Sequence, residues 1–586
     1  MLRTIKIILN TLNSNLKIKF YLLIGFGIIS AFLEMIGVAA IIPIINIILS
    51  PENFTKLEFI QYFLKIDKFI ISPSSLAYIF IIIVIFFFVI KAIFLIFSES
   101  FKLKFINKVS IIYTNKLYNN YIFSNIEKFN NFKFSEKIKN VGQVGFVTSF
   151  LKSANTLFID SILCLILLIF LFNFNFEFTF LMFLAFLIFS ILIIFFSHGK
   201  LVKLSKIKVE NTQKTYENLL NILNSLKEVI ILKRRSVFQK KFNQNIQENF
   251  LAGYRQDIIR FIPKIIIEIL VLGIILSLIA FFLYRQESII NNLDFIGVYF
   301  VAVFKMAPAC NRILISIQNL KTSIFPAQEI LEEINNLSIG GIFLDNLKDD
   351  SHKQKLSFDN KINIKNVSFT YPGSKIEVIK NFNLEIKKNS IIGICGPSGG
   401  GKTTFINILL GFNKPSFGEV YADNQDIYAN LKSWQNLIGY VPQDIFLLND
   451  SIKNNILFGL EESKIDSKKF NKLLQDCNLE DFIINSENGL NTVIGERAAK
   501  ISGGQAQRIC IARALMNDSN ILILDEATSK LDQNNEKEIL ENLIKNFRSK
   551  LTIIIISHRV NMLNNFCNEV YTIKNNQLKI LDKNEK

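Results

Sequence analysis

Six apolar runs, each close to the roughly 20 residues that a helix needs to cross a bilayer, fall in about the first 310 of the chain's 586 residues. They lie near Phe20–Leu49, Leu76–Phe97, Ala154–Phe172, Phe178–Phe196, Ile265–Tyr284 and Phe295–Ile315. Half of the chain is hydrophobic and its mean hydropathy is +0.33, too apolar for a soluble protein of this length. Lys17 and Lys19 precede the first run, which has no small-residue cleavage pattern and is too long for a signal-peptide core. It reads as a retained span.

The segments between the runs set an orientation. Lys102, Lys104, Lys108, Lys116, Lys128, Lys133, Lys137 and Lys139 lie between the second and third. A second basic stretch, from Lys200 to Arg255, lies between the fourth and fifth. Asn173–Glu177 has no cation and Arg285–Asp294 has one. By the positive-inside rule both termini and both long loops are cytoplasmic. The net charge of +17 therefore belongs largely to the inner membrane face, and no nucleic-acid partner is needed to explain it. The six cysteines are scattered with no close pair in sequence and read as reduced and structural.

The second half carries chemistry of another kind. Gly396, Pro397, Ser398, Gly399, Gly400, Gly401, Lys402 and Thr403 form a G-x-x-x-x-G-K-T phosphate loop. Its glycines let backbone N–H groups converge on phosphates, Lys402 adds a charge, and the Thr403 hydroxyl suits Mg²⁺. The apolar Ser390–Cys395 ahead of it reads as a buried strand. Thr404 opens the helix that follows. Further on, the strand Ile521–Leu524 ends in Asp525 and Glu526. Asp525 is placed to hold Mg²⁺ and Glu526 to polarise an attacking water.

With Ser502, Gly503, Gly504 and Gln505 just upstream of that strand, the C-terminal half resembles the ATPases of ABC transporters. The resemblance covers about residues 360–580. It implies that Tyr371 stacks on adenine and that Gln443 contacts Mg²⁺ and water. It also implies that His558 is the switch histidine and that Ser529–Asp532, with Asp532, crosses to a partner subunit. A lone histidine at a strand end is usually structural, but the spacing of His558 from Glu526 favours function. Departures are small: Ile501 stands where Leu is usual and Lys530 where a small residue is usual.

Two long cytoplasmic loops with mostly short outer ones are similar to the exporter type of ABC membrane domain. That likeness implies transverse helices at the loop tips, for which Asn125–Phe132 and Asn218–Leu226 are candidates, and Thr492–Glu496 resembles the loop that meets them. Ionisable residues at membrane depth are costly unless they face a cavity. Lys91, Lys264, Lys305 and Arg312 lie there, the last two on one helix face, against fewer acids: Glu34, Asp160 and Glu268. Glu268 stands at i+4 from Lys264, close enough to pair. Ser50–Ser75 has apolar residues at helical spacing and reads either as an interfacial helix or as an ordinary surface helix. These features resemble the bacterial lipid-linked oligosaccharide flippases of protein N-glycosylation. In that family a belt of arginines meets the lipid diphosphate, and three of the four matching positions here are lysine.

The expected fold is a six-helix membrane domain (1–325), a linker (326–360) and an α/β P-loop ATPase domain with a helical subdomain (361–586). The expected activity is ATP hydrolysis with Mg²⁺, coupled to outward movement of a lipid-linked anionic substrate by a homodimer in the bacterial cytoplasmic membrane. Export of another lipid, a drug or a peptide is the alternative, and an ATP-gated regulatory membrane protein the rival from another class.

Overall fold

The computed structural model describes residues 2–40, 43, 73–124, 133–284, 293–338, 356–495, 501–527 and 533–581. The interfacial helix expected at Ser50–Ser75 falls almost wholly outside them. So do the Asn125–Phe132 transverse helix, Glu496, Ser529–Asp532 with its Asp532, and the end of the first expected span. The described residues through Ser338 and those from Leu356 onward belong to two compact units.

The first unit is all helical: α1 (Leu2–Asn10), α2 (Ser14–Ala39), α3 (Pro73–Ile122), α4 (Phe134–Gly142), α5 (Gly145–Phe172), α6 (Phe176–Asn224), α7 (Leu226–Ile231), α8 (Arg235–Tyr284) and α9 (Leu293–Ser338). Six of these helices are long and apolar enough to cross a membrane. Four far exceed what crossing needs, α9 at 46 residues and three longer still. At 50, 49 and 50 residues, α3, α6 and α8 are each about 75 Å long, against a hydrocarbon core of about 30 Å. The lysine-rich stretches of all three lie beyond their apolar ones, so the excess length is the basic end.

Two sequence expectations shift. Asn218–Asn224 is the last turn or two of α6 rather than a separate element, and the short helix at that loop tip is α7, beginning at Leu226. Ser225 ends α6, and Lys233 takes a left-handed φ of 55° after α7. The final long helix, α9, continues to Ser338, through the first part of the expected linker. Pro326 lies inside it, near one end, where neighbouring helices cover the freed backbone.

Packing in this unit is divided along its length. One apolar cluster gathers Leu16 and Leu23 of α2, Tyr113 of α3, Phe150 of α5 and Ile330 of α9. Another holds Leu167 of α5, Phe178 of α6, Leu278 of α8 and Tyr299 of α9. Beyond the apolar stretch, a buried polar knot joins α3, α4 and α9. Lys139, 1% exposed, pairs with Glu329 at 2.6 Å, and Glu333 accepts from Tyr121 at 2.7 Å and from Asn140. Burying so much charge is tolerable because each group is met.

The second unit contains two sheets. The strands β1 (Lys361–Thr370), β2 (Glu377–Lys387), β4 (Phe417–Ala422) and β5 (Gln425–Asp426) form an antiparallel sheet in the order β2-β1-β4-β5. The other strands are β3 (Ile391–Cys395), β6 (Ile438–Val441), β7 (Ile521–Asp525), β8 (Thr552–Ile556), β9 (Glu569–Lys574) and β10 (Gln577–Ile580). They order as β10-β9-β3-β8-β7-β6, with every pair parallel except β9 and β10. Because β3, β7 and β8 are covered on both faces, they are unbroken apolar runs up to Asp525, and every residue in them is buried.

The helix α10 (Lys402–Leu409) and the antiparallel sheet cover one face, around Phe382, Phe405 and Trp434. The other face packs on α12 (Ile452–Leu457), α13 (Ser467–Asp476), α15 (Gly503–Leu515) and α16 (Gln533–Phe547). Two further short helices, α11 (Leu431–Asn436) and α14 (Glu480–Ile484), and a last one, α17 (Val560–Phe566), complete the unit.

Candidate functional site: a phosphate loop at the ends of four parallel strands

Neighbouring strands of a parallel sheet lie about 4.8 Å apart, so residues just beyond their C-terminal ends gather in one place. That is where α/β sheets bind ligands. The phosphate loop follows β3, His558 follows β8, Asp525 and Glu526 end β7, and Gln443 follows β6. In the sheet these four strands are consecutive neighbours.

The loop needs its glycines for two separate reasons. Gly401 has φ 98°, which side chains resist, and a Cβ there would stand 3.0 Å from the Val378 carbonyl. At Gly396 a Cβ would come within 2.9 Å of the Ile573 carbonyl. The chain then enters α10 at Lys402, whose side chain is buried and turns back. Its Nζ donates to the carbonyls of Gly396 at 2.9 Å and Pro397 at 3.1 Å. The same ammonium lies 3.4 Å from Glu526 Oε1.

Glu526 is the hub. His558 Nε2 is 2.7 Å from its Oε1, and with the proton on Nε2 the ring donates to the carboxylate. Gln443 Nε2 donates to its Oε2 at 2.8 Å. Its own backbone N–H donates to the Ile556 carbonyl at 3.0 Å, tying β7 to β8 at the turn. Glu526 also holds φ 46°, a left-handed conformation that costs a non-glycine residue roughly 1 kcal/mol or more. Strain of that size at the one acid that touches Lys402, Gln443 and His558 marks the residue whose aim the fold fixes.

Asp525, one residue earlier, is buried and accepts from the Tyr440 hydroxyl at 3.1 Å. Burial raises its carboxyl above the ordinary aspartate range; the adjacent Glu526 adds to this, while Tyr440 and Lys402 act against it. A divalent cation would reverse that balance. The available donors, the Asp525 carboxylate, the Thr403 hydroxyl and the Gln443 amide, are hard oxygens of the kind Mg²⁺ takes when it shares its shell with phosphates. The group fits.

Tyr371 follows β1. Its hydroxyl is 3.0 Å from Thr404 Oγ1, its ring meets Phe369 edge-on, and it remains partly exposed, as an aromatic platform must be. Ser502 and Gln505 explain their own spacing. Ser502 Oγ accepts from the Gln505 N–H at 3.3 Å and Gln505 Oε1 from the Ser502 N–H at 2.9 Å, a capping box that starts α15. Gly503 and Gly504 form the first turn of that helix, and no atom lies within 4 Å of where a Gly504 Cβ would be.

The model of the ABC transporter family matches residues 379–529, from β2 through the turn after β7. The second unit carries the ATPase domain of the ABC transporter family. Over 215 residues it is 40% identical to the ATP-dependent lipid A-core flippase of Syntrophus aciditrophicus, a match covering 36% of this chain and 35% of that protein. It is 32% identical to the flippase of the same name in Shigella flexneri over 344 residues, covering 58% and 56%. The chain thus spans about a third to just over half the length of the curated relatives it matches. Among solved structures, a bacterial Atm1-family ABC exporter with ATP bound superposes with a TM-score of 0.75. That match is 18% identical in sequence and covers 97% of this chain and 95% of the other. The fold is that of an ABC exporter, and the chain is a multi-pass membrane protein.

The membrane unit treats its four expected cations differently. Lys91 donates to Glu34 at 2.8 Å and Lys305 lies 3.4 Å from the same carboxylate. Arg312 donates to both oxygens of Asp160, at 2.9 and 2.7 Å. Lys264 and Glu268 are 3.9 Å apart and both exposed. Among the described residues the four thus meet three different acids, Glu34, Asp160 and Glu268. Lys305 and Arg312 do share a helix face, but two turns separate them by about 10 Å, so each meets a different acid. A cavity of about 420 Å³ opens between α2, α3, α5 and α9; Arg312 is the one expected cation that lines it, with the acids Glu99 and Asp160 in the same lining. Its other cations are Lys102 and Lys152, with the buried Asn155 beside them. Lys102 reads as a loop residue in the sequence because hydropathy gives a helix's membrane depth but not its facing. The thiols of Cys164 and Cys310, far apart in sequence, lie 3.9 Å apart between α5 and α9.

Proposed function

We propose that this chain is one half of a homodimeric exporter of the bacterial cytoplasmic membrane that hydrolyses ATP to move an anionic lipid outward. A polyprenyl-diphosphate oligosaccharide is the first cargo to test. The observation that carries the hydrolytic part is Glu526, held in a strained conformation with Lys402, Gln443 and His558 all on its carboxylate.

In this reading the phosphate loop and Lys402 hold the β- and γ-phosphates and Tyr371 takes the adenine. Glu526 accepts the proton of the attacking water, and Gln443 and His558 orient it. Thr403, Asp525 and Gln443 would hold Mg²⁺, which offsets charge on the phosphates. Ser502, Gly503, Gly504 and Gln505 present a helix N-terminus suited to a phosphate, and in a homodimer each serves the partner's nucleotide. Asp532 belongs to the crossing loop. Two nucleotides then favour the closed pair, because they bind it better than the open one.

For the cargo, the cavity's cations Lys102, Lys152 and Arg312 outnumber its acids Glu99 and Asp160, which supports an anion, and its largely apolar walls support a lipid. The named relatives favour a second reading, lipid A-core. Purified protein in phosphatidylcholine liposomes decides between them. Hydrolysis stimulated by polyprenyl-diphosphate sugar and not by lipid A-core supports the first reading; the reverse supports the second.

A further inference from the structure

Lys102 and Lys104 stand two positions apart on α3, about 200° around the helix, and meet different surroundings. Lys102 lines the cavity described above and pairs with Glu99 at 2.6 Å. Lys104 is exposed on the opposite side. There Phe97, Phe101, Lys104 and Lys108 recur every three or four residues and so share one face. A matching stripe on α2 runs through Phe26, Leu22 and Lys19. The two stripes meet, because the Phe26 ring centre lies 5.6 Å from that of Phe97 and 5.4 Å from that of Phe101.

Two contacts fix the depth of the lysines. Glu34 accepts from Lys91, and Phe20 packs on Phe105 with ring centres 6.2 Å apart. Fourteen positions separate Phe20 from Glu34 on α2, and fourteen separate Lys91 from Phe105 on α3. The two helices therefore run side by side, in opposite directions, for about 21 Å. That register sets Lys19 between Lys104 and Lys108 in depth. All three are exposed, at the end of the apolar stretches of both helices. Above them the seam stays open, with Leu22 46% and Phe97 55% exposed. The carboxylates of the two helices are already engaged. Glu34 is the only acid of α2 and Glu99 the only acid of α3, and they pair with Lys91 and Lys102.

We propose that the α2–α3 seam binds one anionic phospholipid of the surrounding bilayer. Its phosphate lies among Lys19, Lys104 and Lys108, and an acyl chain lies against Leu22, Phe26 and Phe97. Charge complementarity and depth choose this occupant together. Three unmatched ammoniums stand where apolar surface gives way to headgroups, and lysines at that level attract anionic lipids. The apolar stripe above them holds the chain that such a phosphate carries. This lipid is not the cargo. Lys104 and Lys108 face away from the cavity of Lys102, Lys152 and Arg312, so the site stands whatever the transporter moves.

The test is mass spectrometry of the intact full chain in detergent, which counts bound lipids and gives the dissociation constant of the first. Wild type binds one phosphatidylglycerol more tightly than phosphatidylcholine. Replacing Lys19, Lys104 and Lys108 together by Gln weakens that first phosphatidylglycerol by about tenfold or more, and replacing them by Arg keeps it within about twofold. Leu22→Ser, which touches no charge, weakens it by about threefold. The control changes Lys200, Lys203 and Lys208 to Gln, three exposed lysines of α6 that remove the same charge elsewhere. It leaves binding within about twofold. Unchanged basal ATP hydrolysis reports an intact fold in each variant. If the α6 control weakens the lipid as much as the seam variant does, net charge alone attracts it and the site is overturned. Equal affinity for phosphatidylcholine overturns it as well. Displacement of the lipid by inorganic phosphate shows that the lysines take phosphate without the chain, and the seam is then no lipid site.

Discussion

The ATPase unit and the membrane unit both bring charged groups together, but by different means. In the ATPase unit, Lys402, Asp525, Glu526, Gln443 and His558 meet because each lies at or shortly beyond the C-terminal end of a strand in a sheet of fixed order. In the membrane unit, Lys91, Lys305 and Arg312 meet acids on helices 57 to 271 positions away in the chain, counting Lys91 and Lys305 from Glu34. A sheet fixes neighbours through hydrogen bonds that run in register. A helix packed in lipid fixes them through the faces it turns, and hydropathy averages those away.

Breaking the hub of the first region has the largest expected effect. Glu526→Gln removes the base and reduces phosphate release by about 10²–10⁴-fold, while nucleotide binding, read with a fluorescent ATP analogue, persists. Retained hydrolysis would place the base elsewhere and remove the contrast between the regions. In the second region the expected loss depends on the partner rather than the motif. Arg312→Gln leaves the buried Asp160 carboxylate unmet and costs about 1–3 kcal/mol, seen as a lower melting midpoint in detergent. Arg312→Gln with Asp160→Asn recovers most of it. If the double variant is no better than the single one, the pair is not what holds α5 to α9 there.

A smaller effect separates the two units by optical means. Trp434 is the sole tryptophan of the chain and is buried in the ATPase core, donating to the Leu409 carbonyl at 2.6 Å, so its fluorescence follows that unit alone. Asp525 has its pKa raised by burial. The stability this contributes is present below the unfolded-state pKa and is lost as pH rises through the folded value. With a chelator at neutral pH, Asp525→Asn therefore raises the midpoint by about 2–4 °C, and the gain shrinks to nothing near pH ~4. The smallest change is at the signature helix: Ser502→Ala removes one half of the capping box and costs about 1 kcal/mol of local stability, measurable by amide exchange in α15.

The sequence was legible where local chemistry dictates local backbone. The spacing of Ser502 and Gln505 is itself a capping pattern, and the glycines at 396 and 401 answer to steric demands within a few residues or one strand away. The six spans were legible as well, since length and apolarity are read one segment at a time. What was not legible depended on facing. Nothing local places Cys164 beside Cys310 or Glu34 between two lysines. Nor does any sequence signal end α9 before Ser338, because Pro326 lies inside it and no glycine closes it until Gly340.

The long helices have a mechanical consequence. A rod of about 75 Å that leaves the bilayer at one end is a lever whose far tip lies about 60 Å from the membrane centre. A tilt of only about 5° around that centre sweeps the tip through about 5 Å, roughly one helical turn. A loop of the same number of residues would absorb such a displacement by bending. By continuing α3, α6 and α8 as unbroken helices, the fold makes small angular changes among the spans large, directed movements at their basic ends.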